Sequence, residues 1–261
     1  MVKLGVCADP AEAPALHDAG FEFIELHVQN HLKTEESEGV FADALQRIAA
    51  SALPALAANC FVPGHLKITG PEVDLDALRA YVTVAFERAE RAGISTIVFG
   101  SGGARRIPEG FDRDVAWSQL VTFGQLIGPL AEDHGVTVVV EPLNETLEAC
   151  NVLTSVGECG RYVEDVDHPH VRLLVDSYHW SLDDDSRDAI VQYGGLLQHV
   201  HIATTESRVP PGFEPCDFSA FFDALKDADY DGPISIEARW EDMPAQASEA
   251  FDALQRLAQQ L

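Results

Sequence analysis

The chain has 261 residues, of which 46% are hydrophobic, so it is long enough to bury one large core. Its 43 acidic and 17 basic residues give a net charge of −26, and such a surface repels phosphate backbones, which argues against a nucleic-acid substrate. No stretch reaches the roughly 18 apolar residues of a membrane span, which argues against a membrane partner.

Strand-like and helix-like segments alternate from one end of the chain to the other. Several strand-like segments are apolar almost throughout, as expected for parallel strands covered on both faces. The predicted strands are Lys3–Ala8, Phe21–Val28, Pro54–Phe61, Ser95–Gly100, Val136–Glu141, Val171–Asp176, Leu196–Ile202 and Ile234–Ala238. The predicted helices are Ala11–Ala19, Phe41–Ala52, Leu75–Ala92, Val115–His134, Val156–Val166, Asp184–Tyr193, Phe218–Ala228 and Ala245–Gln260.

Eight strands alternating with eight helices predict a closed (β/α)8 TIM barrel. An open doubly wound sheet would also alternate, but it usually carries a glycine-rich nucleotide loop after its first strand, where this chain reads CADPAEAP. The glycine-rich GSGG at 100–103 is followed by ARRIPEGF, which we do not interpret as the start of a helix. We therefore expect one domain spanning residues 1–261, with its site at the carboxyl ends of the strands.

The cysteines and the start of the chain bear on its location. Five scattered cysteines, an odd number, favour reduced thiols. The start of the chain also lacks the long apolar segment of a signal peptide. Together these features predict a cytoplasmic protein. The acidic surface suits a salt-rich cytoplasm, or solubility alone.

Four predicted strands end in a side chain that binds metals. The runs are VTVVVE to Glu141, VRLLVD to Asp176, LLQHVH to His201 and PISIE to Glu237. Because the carboxyl ends of barrel strands meet at one face, these side chains should converge. Three carboxylates and one imidazole suit Mn²⁺ best, with Mg²⁺ or Co²⁺ as alternatives, whereas structural zinc favours cysteine. The sequence thus predicts one divalent metal ion.

Other polar side chains lie near these strand ends. His179, three residues after Asp176, and Arg208 are candidates for binding substrate oxygens. His199 shares a strand face with His201, one layer deeper, and we interpret it as an interior histidine. The remaining candidates for the mouth or rim of the site are Glu25, His65 and Lys67, and Arg105 and Arg106 are either anion anchors or surface ion-pairing residues.

The motifs together resemble a known family. EPLN at 141–144, LLVDSYH at 173–179, HVHIAT at 199–204 followed by RVPPG, and YDGPISIE at 230–237 are similar to the xylose-isomerase-like TIM barrels. Within that superfamily they resemble the sugar phosphate isomerase/epimerase group, which includes ketose 3-epimerases and hydroxypyruvate isomerases. FVPGHLKITGPEVD and VFGSGGARRIPEGFD also resemble members of this group.

The resemblance implies that Glu141, Asp176, His201 and Glu237 hold one Mn²⁺-type ion. It also implies that Glu141 and Glu237 act as the acid/base pair, while His179 and Arg208 hold substrate oxygens. Homodimers or homotetramers are common in such families.

The chain departs from these epimerases at two positions. Related epimerases usually carry a glutamate six residues after the first ligand, where this chain has Leu147. Glu148, or alternatively Glu145, takes that substrate-binding role in our interpretation. Arg208 lies one residue further from His201 than in those epimerases.

The residue types predict chemistry that begins with proton abstraction beside a carbonyl, through an enediolate that a metal stabilises. The leading function is therefore an isomerase or epimerase of a small keto-sugar, a sugar phosphate or a hydroxy-keto acid. A lyase or dehydratase acting on a 3-keto-glycoside would start with the same step. A DNA repair endonuclease would need more histidines and a basic groove, and a non-catalytic sugar-binding barrel subunit would not need an acid/base pair.

Overall fold

The computed structural model describes residues 2–145, 150–183 and 185–261. Eight parallel strands close into a barrel in the order β1 to β8, with β8 paired to β1 through Val6 and Ile236. The predicted (β/α)8 barrel is confirmed. The strands are β1 Leu4–Cys7, β2 Phe23–His27, β3 Ala55–Asn59, β4 Thr96–Phe99, β5 Thr137–Val140, β6 Val171–Asp176, β7 Leu197–Ile202 and β8 Ile234–Ile236.

Helices pack around the outside of this barrel. They are α1 Ala13–Ala19, α2 Glu38–Ala49, α3 Leu75–Ala92, α4 Gly102–Arg105, α5 Arg113–Asp133, α6 Val156–Val166, α7 Ser177–Leu182, α8 Arg187–Gln192, α9 Ser219–Asp227 and α10 Met243–Ala258. Short turns of other helix types span Pro10–Glu12, Val28–Leu32 and Gly194–Leu196. None of the helices in the described ranges is long and apolar enough to cross a membrane.

Two short helices differ from the sequence predictions. We expected no helix after GSGG, but α4 forms one turn there. We expected His179 at the start of a loop, but it lies within α7. The predicted helix Asp184–Tyr193 corresponds to the shorter α8, and Asp184 lies outside the described residues. Such single turns bury too few residues to produce a periodic pattern, so the sequence does not reveal them.

The alternation of side chains along each strand divides the core. On β6, Leu173 and Val175 join the large outer cluster between sheet and helices, whereas Leu174 packs with Val98 and Val139 in a separate cluster inside the barrel. The next inward position on β6 is Asp176, at the carboxyl end of the strand. The barrel interior is therefore apolar below and polar at the carboxyl-terminal mouth.

Candidate metal and active site

The four predicted donors converge at the mouth of the barrel. Asp176 and His201 end up side by side because β6 and β7 pair these two residues directly. Glu141 and Glu237 immediately follow β5 and β8. Ligand atoms of all four lie within 4.8 Å of one another, and Glu141, Asp176 and His201 are buried. One ion could therefore contact all four side chains.

The imidazole of His201 has carboxylates beside both of its ring nitrogens. Its Nε2 lies 2.9 Å from Oε1 of Glu25, and its Nδ1 lies 3.2 Å from Oε1 of Glu141 and 3.7 Å from Oε2 of Glu237. An ionised carboxylate only accepts hydrogen bonds, so Nε2 donates to Glu25 when Glu25 is ionised. Nδ1 is then the atom that faces the donor group, as in a metal site whose histidine is held by a second carboxylate.

Glu25 lies beneath the donors rather than in the mouth. Its second oxygen is 2.8 Å from Nε2 of His199, which also lies 3.2 Å from Oγ of Ser235. Burial alone would raise the pKa of Glu25, but His201 and His199 outweigh it and hold that pKa well below its usual range. Burial lowers the pKa of His199, which is a fully buried interior histidine, as the sequence predicts.

Without a cation, the donor carboxylates disfavour one another's charge. Burial and the charge of Glu237 raise the pKa of Asp176 to about 6, and burial raises the pKa of Glu141. Burial would lower the pKa of His201, but Glu25 and Glu237 outweigh it and raise that pKa. A positive charge at the cluster would relieve the repulsion between the carboxylates.

The donor set fits a hard divalent cation. Oδ2 of Asp176 is buried and accepts no hydrogen bond from the described residues, so it has room for a ligand bond. A second group, Cys7, Glu25 and His201, also has ligand atoms within 4.8 Å. There, however, Glu25 is engaged by both histidines, and burial raises the pKa of the Cys7 thiol far above its usual range. The group of four residues at the mouth of the barrel is therefore the better candidate metal site.

A cavity of about 290 Å³ opens above the donors, and a small sugar would fit in this volume. Its lining includes Glu141, Glu237, His179 and Arg208. A larger cavity, of about 590 Å³, lies at the opposite end of the strands among residues such as Leu4 and Phe251, and none of the candidate residues lines it.

His179, in α7, and Arg208 both lie beside the four proposed metal ligands. Nε2 of His179 lies 3.5 Å from Oδ2 of Asp176, and its Nδ1 accepts the backbone N–H of Asn144 at 3.2 Å. Arg208 donates to Oε2 of Glu237, and its guanidinium lies 4.6 Å from the centre of the Tyr178 ring. Both side chains thus border the space above the cluster.

The rim candidates lie outside the cavity lining. His65 is exposed and lies 2.9 Å from Oε1 of Glu35. Lys67 donates to the backbone oxygens of Gly64 and Gly103, two glycines that do line the cavity. Glu148, with Leu147, lies outside the described residues.

The structure overturns the interpretation of Arg105 as an anion anchor or a surface ion-pairing residue. Its side chain is 0% exposed and donates to backbone oxygens. Arg106, by contrast, is exposed.

The sequence did not identify two positions near the donors. Asn59, the last residue of β3, donates to Oε1 of Glu237 at 3.0 Å. Gly100 follows β4, and a Cβ there would lie 2.4 Å from Oε2 of Glu141. The predicted strands ran to or past both residues. A polar Asn among alanines in ALAAN was the available signal for the first.

Known proteins resemble this chain in sequence and in fold. A sequence profile of the xylose isomerase-like TIM barrel family matches residues 13–258. The chain belongs to this family.

Curated relatives of this family member include sugar epimerases and isomerases. 3-Dehydro-D-guloside 4-epimerase of Escherichia coli K12 is 32% identical over 125 residues, 47% of each chain. D-Psicose 3-epimerase of Agrobacterium fabrum C58 is 32% identical over 112 residues, 42% of this chain and 38% of that protein. A putative hydroxypyruvate isomerase of Danio rerio is 28% identical over 145 residues, 51% of each. The chain spans about half the length of these relatives or less, and the predicted resemblance is confirmed.

Solved structures agree over nearly the whole chain. 3-Keto-D-glucoside 4-epimerase from E. coli superposes with a TM-score of 0.78 at 24% identity, over 99% of this chain and 100% of that one. D-Psicose 3-epimerase from Clostridium cellulolyticum H10, with D-tagatose, gives 0.82 at 20% identity, over 99% of both. At these identities the likeness shows the fold.

Proposed function

We propose that this protein is a divalent-metal-dependent isomerase or epimerase of a small keto-sugar, a sugar phosphate or a hydroxy-keto acid. The observation that carries this proposal is the convergence of Glu141, Asp176, His201 and Glu237, two of which, Glu141 and Glu237, also line a cavity large enough for a small sugar. The activities of the relatives, which are sugar epimerases and isomerases, support the same class.

In this proposal the four converging side chains would hold one ion, with Mn²⁺ preferred and Mg²⁺ or Co²⁺ as alternatives. Oδ2 of Asp176, which is buried and accepts no hydrogen bond from the described residues, supports this assignment. When bound, the cation would supply Lewis-acid stabilisation for the negative charge that develops on substrate oxygens during enolisation.

Glu141 and Glu237 carry the proton in the proposed reaction. One carboxylate accepts a proton from the carbon beside the carbonyl, and the other delivers a proton on the opposite face in an epimerisation. In an isomerisation the first carboxylate returns the proton to the neighbouring carbon, while the hydroxyl proton moves to the oxygen of the former carbonyl. In the metal-free protein burial raises the pKa of Glu141, which favours a base, whereas a bound cation would oppose this shift.

The surrounding residues orient the substrate and the carboxylates. Asn59 and Arg208 each hold one oxygen of Glu237, and His179 and Arg208 are placed to bind substrate oxygens. We propose that Glu25 positions His201 rather than contacting substrate, because both of its oxygens are engaged by histidines. Substrate-binding roles for His65, Lys67 and Glu148 stay predictions.

The wider setting is part of the proposal. Residues 1–261 act as one domain on a small-molecule substrate, with neither nucleic acid nor membrane as a partner. We also propose that the protein is cytoplasmic and forms a homodimer or homotetramer.

Replacing either glutamate tests the acid/base assignment. Glu141→Gln and Glu237→Gln keep an oxygen donor but remove the base, and general acid/base catalysis is worth roughly 10²- to 10⁴-fold in rate. We expect turnover of ketoses such as D-psicose, measured at saturating Mn²⁺, to fall by about that factor or more, with the melting temperature largely retained. Glu241→Gln, at an exposed glutamate after β8, is the matched control. Near-normal turnover in either test variant would refute the assignment.

A further inference from the structure

A fully buried arginine joins three chain segments around Glu141. Arg105, in α4, donates from Nη1 to the backbone oxygen of Phe99 at 3.0 Å, and from Nη2 to those of Glu141 at 2.7 Å and Leu153 at 2.9 Å. Its Nε lies 3.4 Å from Sγ of Cys150. The guanidinium therefore contacts the last residue of β4, the residue after β5 and the returning limb of the loop after β5.

The charge of Arg105 meets no ion-pair partner within residues 2–145, 150–183 and 185–261. None of the carboxylates in the described residues forms an ion pair with it, and its acceptors are carbonyls and a thiol. Burying a cation in this way costs free energy that an apolar side chain of similar size would avoid. The planar fork of arginine offers what an apolar residue lacks, which is several donors in a fixed geometry.

A second pair of hydrogen bonds connects the same loop to the segment after α4. The backbone N–H of Ile107 donates to Oδ1 of Asn151 at 2.9 Å, and Nδ2 of Asn151 donates back to the Ile107 oxygen at 3.0 Å. The two limbs of the loop are themselves joined, since the N–H of Leu143 donates to the Leu153 oxygen at 3.2 Å. The backbone at Glu141, where the loop begins, is thus held by Arg105 and by the returning limb of the loop.

We propose that Arg105 is a positioning residue for Glu141, fixing its backbone so that its carboxylate reaches the cluster with Asp176 and His201. This inference rests on the proposed function. It also gives a role to Arg105 within the GSGGARRIP segment.

The experiment compares three variants by melting temperature and by calorimetric titration of the metal-free protein with Mn²⁺ alone. Arg105→Met removes every donor, Arg105→Lys keeps the charge but not the fork, and Arg106→Met changes the exposed neighbour. We expect Mn²⁺ affinity to fall about tenfold or more in Arg105→Met, by the range typical for groups that support metal ligands. Arg105→Lys should recover part of the loss, and Arg106→Met should match the unaltered protein.

Each outcome decides the inference. A folded Arg105→Met that melts at a lower temperature but binds Mn²⁺ with unaltered affinity would make Arg105 purely structural and overturn the proposal. If Arg105→Met does not fold, Arg105→Lys decides, because unaltered affinity in that variant has the same meaning. Failure of the unaltered protein to bind Mn²⁺ would instead overturn the proposed function, and this inference with it.

Discussion

His201 shows how a single residue couples the site to the interior of the barrel. Its Nε2 lies against Glu25, and its Nδ1 faces Glu141 and Glu237. The alternation of side chains on β7 also turns His199 inward, to the other oxygen of Glu25. One buried carboxylate thus orients two histidines, and the orientation of His201 determines which nitrogen faces the donors.

Asp176 illustrates a conflict between stability and metal binding. Burial and Glu237 raise its pKa to about 6, whereas an aspartate in an unfolded chain has a pKa of about 3.9. Between these values the folded protein binds more protons than the unfolded chain, so the free energy of unfolding of the metal-free protein falls as the pH rises. Above that window the ionised carboxylate destabilises the metal-free fold.

Asp176→Asn should separate the two effects. We expect the metal-free variant to melt at a higher temperature than the unaltered metal-free protein at pH 8, with a smaller gain at pH 5. We also expect its Mn²⁺ affinity to fall sharply, because an anionic ligand is lost. Thermal melts at both pH values and Mn²⁺ titration measure this. An unchanged melting temperature at pH 8, or unaltered affinity, would contradict the account.

Among the elements, the position of the Glu141 carboxylate beyond β5 depends on Gly100 at the end of β4. These strands run side by side from Thr96 and Thr137 to Phe99 and Val140. Gly100 and Glu141 then follow at the mouth, and a Cβ on Gly100 would lie 2.4 Å from Oε2 of Glu141. The end of β4 must therefore lack a side chain for the carboxylate beyond β5 to occupy its place.

Gly100→Ala should displace that carboxylate while leaving the barrel folded. A misplacement of about 1 Å at a catalytic group can cost on the order of 100-fold in rate, so we expect kcat to fall at least tenfold. Gly157→Ala in α6 is the matched control, because a Cβ there meets no atom within 4 Å. Steady-state kinetics beside thermal melts measure the effect, and equal kcat values in the two variants would contradict it.

The elements also show what the sequence predicts well. The apolar runs of β5 and β6 are bounded by residues that cannot continue a buried strand, so Glu141 and Asp176 could be placed at strand ends from the pattern alone. The roles of three further residues could not be predicted in this way, because they depend on contacts between distant segments. These residues are Asn59, Gly100 and Arg105. Arg105 lies 36 residues from Glu141 in sequence. From the sequence alone we interpreted it as an anion anchor or a surface ion-pairing residue.

At the scale of the whole molecule, alternation of strands and helices predicts parallel strands but does not distinguish a barrel from an open sheet. Closure requires the pairing of β1 with β8, which no local pattern encodes. The absence of a nucleotide loop after the first strand favoured the barrel, and the structure confirms it. The net charge of −26 supports the proposed small-molecule substrate, because an acidic surface repels phosphate backbones.

The most direct test of the central claim is solvent-deuterium exchange followed by NMR. The Mn²⁺-loaded protein is incubated in D₂O with ketoses such as D-psicose, or with hydroxypyruvate. We predict that deuterium appears at carbon in an isomeric product and that mass is balanced. This exchange should be lost after exhaustive EDTA treatment and should return when Mn²⁺ is added. Exchange that persists unchanged in the metal-free protein, or an unsaturated product in place of the isomer, would contradict the central claim.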